Sequence, residues 1–155
     1  MRLRVVGLGT PHGDDAVGLA VACRLARERL PAGVEVRACE RPGVDLLDAL
    51  DGAAAAVLVD GVQGGSTPGR VYEIDPTTLR PGAVASSHGL GAAESLAIGR
   101  ALGRLPRWLR VVGIEVSTLR GDGLSPPVSA AVGPACERVR ALVQAWRQDR
   151  GRSGG

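Results

Sequence analysis

Short β-branched apolar runs alternate with stretches of helical period along almost the whole chain, and that alternation restricts the fold more than any other feature. Leu3–Leu8 is such a run and closes in Gly7-Leu8-Gly9; Asp14 then precedes a periodic segment carrying Ala16, Val17, Leu19, Ala20, Val21, Leu25 and Leu30. Val34–Cys39 is a second strand, followed after Pro42-Gly43 by a short helix with Leu46, Leu47 and Leu50. Ala53–Val59 reads as a fully buried third strand that stops at an Asp60-Gly61 turn. A Gly-rich loop, 64–69, leads to a fourth strand, Arg70–Ile74. Ser86-Ser87 is placed to cap a helix from about His88 to Leu102, Trp108–Val116 is a fifth strand, and Ser125–Arg147 is the last helix.

Parallel strands need crossover connections, and the helices that make them cover both faces of the sheet. The expected fold is therefore α/β: a three-layer sandwich in which helices flank a mostly parallel five-stranded sheet. The short link between the third and fourth strands adds an antiparallel edge. Residues 1–147 are expected to form one domain, a normal size for one core, and Gln148–Gly155, rich in Gly, Arg and Ser, to be a disordered tail.

Absences narrow the chemistry. The chain contains no Lys, which excludes a Schiff base, a Walker A loop and a kinase-type phosphate lysine. His12 and His88 are the only imidazoles, so any histidine base or ligand is one of them. Cys23, Cys39 and Cys136 form no C-x-x-C pair; they read as small buried hydrophobes rather than a zinc or redox site. No apolar run approaches the ~18 residues of a membrane span, so a cytoplasmic protein without a membrane partner is expected. The formal charge of +3 comes with only two Trp, one Tyr and no Phe, too few rings to stack on bases, and no nucleic-acid partner is expected. Arg138, Arg140, Arg147, Arg150 and Arg152 read as a solvated helix face.

In open α/β sheets, sites lie beyond the carboxyl ends of the strands. That rule selects His12, Asp14, Asp15, Glu40, Asp60, His88 and Glu115. The loop Gly7-Leu8-Gly9-Thr10-Pro11-His12-Gly13, with Glu40 near a ribose-binding place, is a loose dinucleotide fingerprint. Against it stand Asp14 and Asp15 where a pyrophosphate should meet backbone N–H groups. Two like charges ~4 Å apart repel by about 4 kcal/mol at an effective dielectric of 20, more than the ~0.3–1 kcal/mol of helix-dipole attraction. The same acids suit a cation: Asp15, Asp60 and His88 would supply two oxygens and one imidazole nitrogen and leave coordination positions open. Asp14 is positioned to be the helix N-cap, leaving Asp15 as the second acid.

The ordered set Gly7-x-Gly9, Asp14-Asp15-Ala16-Val17-Gly18, Val57-Leu58-Val59-Asp60, Ser87-His88-x-Leu90-Gly91 and Val112-Gly113-Ile114-Glu115 resembles the hydrogenase maturation endopeptidases, from about residue 3 to 146. The resemblance implies a twisted five-stranded sheet between helices and a nickel-dependent peptidase. Such an enzyme removes a C-terminal extension from the large-subunit precursor of a [NiFe] hydrogenase. It also implies that Asp15, Asp60 and His88 recognise the nickel and act in catalysis, with the metal carried by the precursor rather than tightly resident. Where the family often shows an Asp-x-Gly-Thr segment associated with substrate choice, this chain has Ala38-Cys39-Glu40-Arg41-Pro42-Gly43. A non-catalytic accessory module of the same fold, or a dinucleotide-binding protein, are the alternative readings.

Overall fold

The computed structural model describes residues 2–40, 44–79, 85–86, 92–117 and 121–154. Strands β1 (Leu3–Leu8), β2 (Val34–Cys39), β3 (Ala55–Gln63) and β6 (Trp108–Glu115) run parallel. β4 (Val71–Ile74) joins the edge antiparallel to β6, giving the order β2-β1-β3-β6-β4. The two-residue β5 (Ala85–Ser86) pairs antiparallel with the end of β3. The five-stranded, mostly parallel sheet with an antiparallel edge is the expected one, and β6, not β3, is the partner of the edge strand.

Alternation along each strand sends side chains to two cores. Leu3, Val5, Val57, Val59, Val112 and Ile114 meet α1 (Val17–Ala26) and α4 (Pro126–Ser153) on one face. Val6, Leu8, Ala56, Leu58, Leu109 and Val111 meet α2 (Val44–Leu50) and α3 (Ala92–Ala101) on the other. Each fully buried Val or Leu contributes about 1.5–3 kcal/mol through the apolar area it removes from water, so β1, apolar but for the buried Arg4, and the run Ala55–Val59 of β3 belong at the centre of the sheet.

Several expectations are corrected. Asp60-Gly61 is not a turn: β3 runs on to Gln63 because Asp60, Gly61 and Val62 pair with Gly113, Ile114 and Glu115 of β6, and β5 takes the edge that β1 has left. Ser86 lies in β5 rather than at a helix cap, while Ser87 falls outside the described residues. Gln148–Ser153 are not a loose tail but the last turns of α4, where Arg150 lies 4.9 Å from the centre of the Trp146 ring and Ser153 Oγ donates to the Asp149 carbonyl. Cys39 and Cys136 are buried as expected, but Cys23 is exposed; it sits on α1 between the inward-facing Ala22 and Leu25, on the solvent side.

Candidate functional site

β1 connects outward to β2 on one side, and the chain then returns to place β3 on the other. The order therefore reverses between β1 and β3, which opens a crevice at the carboxyl ends of those two strands. The last paired residues are Gly7 and Val59, so Asp60 is the first residue of β3 past the point where the strands part. It is 4% exposed and, by alternation with Ala56 and Leu58, belongs to the α2–α3 face.

Asp15 comes from the β1 side. After β1 the chain makes a 3₁₀ turn, Gly13–Ala16, that feeds directly into α1. Glycines make the close approach possible. A Cβ on Gly18 would lie 2.2 Å from the Leu8 carbonyl oxygen and 2.6 Å from that of Val59, so the start of α1 rests on the backbone of both strands. Gly9 has φ +152°, and a Cβ there would collide with the Asp15 carbonyl oxygen. Asp15 is 4% exposed, and its Oδ2 accepts hydrogen bonds from the Thr10 amide (3.0 Å) and hydroxyl (2.5 Å). Thr10 thus sets the orientation of the carboxylate.

Asp14 faces elsewhere and is not the N-cap expected of it. The residue before α1 is Ala16, with no side-chain cap. The Asp14 carboxylate is wholly buried: Oδ1 accepts from the Ser125 amide (2.6 Å), and Oδ2 from the Ser117 amide (2.8 Å) and the Ser125 hydroxyl (2.7 Å). Three hydrogen bonds from the segment between β6 and α4 thus converge on one carboxylate. The neighbouring acids therefore divide, one toward the segment between β6 and α4, the other toward the β1 loop.

Among the remaining candidates, Glu115 is 3% exposed and lies on β6 beside Val62. Its carboxylate accepts from the amides of Gly64 and Ser66 and from the Tyr72 hydroxyl, shaping the loop after β3. Burial, and secondarily the charge and hydrogen bond of Glu115, push the Tyr72 phenol above its ordinary value. His12 and Glu40 are exposed. His88 lies outside the described residues; Ser86, two positions before it, pairs with Val62, two positions beyond Asp60. Among the described residues no group of three His, Cys, Asp or Glu side chains is arranged to hold a metal. Sequence reasoning missed Thr10, Ser117, Ser125 and Tyr72 as partners of the acids. Thr10 was within reach, being five residues from Asp15; the others are distant and left no local signal.

A parallel sheet between two helix layers, with buried carboxylates where its central strands separate, defines an α/β protein with a polar site at its topological switch point. A family model for hydrogenase maturation proteases matches residues 21–142, a span that includes Asp60 and His88 and begins after Asp15. The chain is 30% identical over 151 residues to the hydrogenase 2 maturation protease of Escherichia coli (strain K12), covering 93% of this chain and 92% of that protein. The solved structure of the hydrogenase maturating endopeptidase HybD from E. coli superposes with a TM-score of 0.81 at 29% identity, covering 94% and 93% of the two chains. The [NiFe] hydrogenase maturation protease HybD from Thermococcus kodakarensis gives 0.71 at 27% identity, covering 92% and 99%. The chain belongs to the hydrogenase maturation protease family and is an endopeptidase of that family.

Proposed function

We propose that this protein removes the C-terminal extension of a [NiFe] hydrogenase large-subunit precursor in the cytoplasm. In this reading Asp15, Asp60 and His88 dock the nickel that the precursor carries. The observation that supports it best is that Asp60 follows the last β1–β3 pair while Asp15 lies in the turn after β1, in a chain of this family. Two carboxylate oxygens and one imidazole nitrogen suit a borderline divalent ion. A set of three leaves the ion bound to groups of the precursor as well, so that nickel reports that the precursor is loaded.

Docking in this way holds the scissile peptide beside the crevice and converts its hydrolysis into a positioned step. Water adds to the carbonyl carbon, the C–N bond breaks, and a proton passes to the leaving amine. The polarisation needed can come from the docked ion, or a carboxylate can take the proton from the attacking water. The test is incubation of the purified protein with nickel-loaded precursor, followed by mass spectrometry of the large subunit. Release of one C-terminal peptide by the parent, and its loss in folded Asp15→Ala, Asp60→Ala and His88→Ala variants, is expected. An intact precursor after incubation with the parent would refute the reading and favour a non-catalytic accessory module.

A further inference from the structure

We propose that Asp14 is the positioning residue of this site, holding Asp15 in place by tying its turn to the segment that leads from β6 into α4. The proposal rests on the assignment of Asp15 to the docking site. A 3₁₀ turn of four residues has few hydrogen bonds of its own and poorer geometry than an α-helix, so Gly13–Ala16 needs support from outside. The described contacts supply it from two directions. On the β1 side, Thr10 donates twice to Asp15. On the α4 side, Ser117 and Ser125 donate three times to Asp14, and the Gly13 amide donates to the Gly121 carbonyl (3.1 Å). With Asp14 released, the described contacts leave the turn the Gly121 link on its α4 side, and Asp15 loses much of the support that holds its loop.

The arrangement demands a carboxylate and not merely a polar side chain. All three partners donate, two of them through backbone amides, and they fill both oxygens. Asparagine offers one oxygen and one NH₂, and whichever way the amide is turned the NH₂ faces a backbone N–H. The Ser125 hydroxyl can rotate to accept; an amide cannot. Asp14 is 0% exposed, so water is not at hand to replace the lost acceptor.

The test is a double-mutant cycle read on affinity for nickel-loaded precursor, with Thr10 amide hydrogen exchange followed in parallel. Asp14→Asn, folded by circular dichroism and measured well below its melting temperature, should bind precursor roughly 10-fold or more weakly, since small misplacements at a site carry losses of this order. It should also speed exchange of the Thr10 amide, which donates to Asp15. Asp15→Ala should weaken binding, and the double variant should bind no more weakly than Asp15→Ala alone, because Asp14 acts through Asp15. Ser125→Ala removes only the hydroxyl and should give a smaller loss, also absent in the Asp15→Ala background; it serves if Asp14→Asn does not fold. Parental affinity in Asp14→Asn, or losses that multiply in the double variant, would overturn the role of Asp14. Parental affinity in Asp15→Ala would instead overturn the site assignment itself.

Discussion

Replacing Gly18 by alanine should destabilise the protein, although alanine is the better helix former by ~1 kcal/mol. The added Cβ would stand 2.2 Å from the Leu8 carbonyl oxygen and 2.6 Å from that of Val59, where carbon–oxygen contacts settle at about 3.3 Å or more. Both oxygens belong to central strands and have no flexible side chain to swing aside, so α1 must lift by about 1 Å. A gap of about that size forfeits roughly a quarter to a half of the contact energy beneath the helix. Val17, Val21 and Leu25 of α1 are all fully buried, and at about 1.5–3 kcal/mol each the loss is roughly 1–4 kcal/mol. After the gain in helix propensity a net destabilisation of about 0–3 kcal/mol is left, with a midpoint of ~1.5 kcal/mol, equivalent to roughly 3–6 °C in melting temperature for a domain of this size. Scanning calorimetry of Gly18→Ala beside Gly151→Ala makes the comparison. The same change at Gly151 meets nothing within 4 Å and should leave the melting temperature equal or slightly raised. Equal stability of Gly18→Ala and the parent would refute the close approach of α1 to the crevice.

Tyr72 is the one tyrosine of the chain, so tyrosinate absorbance reads it directly. Its midpoint should lie above the ordinary value and fall in Glu115→Gln while staying raised, because burial, the larger cause, persists; an unmoved midpoint would refute the contact with Glu115. Arg140 grips Glu28 with two hydrogen bonds (2.6 and 2.8 Å), and these lower the Glu28 pKa. A carboxyl lowered by folding adds stability that is complete above its unfolded value of about 4.3 and is lost as pH falls through the folded value. Between about pH 6 and pH 3 the parent should therefore lose up to ~1 kcal/mol more than Glu28→Gln, the usual ceiling for a surface pair; parallel denaturation curves across that range would refute it.

The strand–helix alternation was legible because burial on both faces leaves β1, Arg4 apart, and Ala55–Val59 of β3 as apolar runs, a local signal. Local signals also misled. Asp60-Gly61 has the composition of a turn, yet the long β6 beside it and β5 on its other edge keep it extended, and neither is visible near residue 60. Asp15 and Asp60 were selected by a rule of topology, the carboxyl ends of strands; Asp60 lies inside β3, at the point where β1 stops pairing with it, and Asp15 in the 3₁₀ turn that follows β1. Asp14 was misread because its amide donors are 103 and 111 residues away, so a helix cap was the nearest explanation in sequence although the fold offered a stronger partner. The exposure of Cys23 was equally hidden, since a helix of small residues such as α1 has no sharp polar boundary.

Helix α4 is 28 residues long, about 42 Å at 1.5 Å per residue. Its first residues adjoin the crevice through Ser125, whereas Trp146, Arg150 and Ser153 line a groove with Ala53, Ala54 and Trp108 at the opposite pole of the sheet. Anchoring the protein to a bead or sensor surface through position 153 would therefore leave the crevice end of the sheet pointing away from the support.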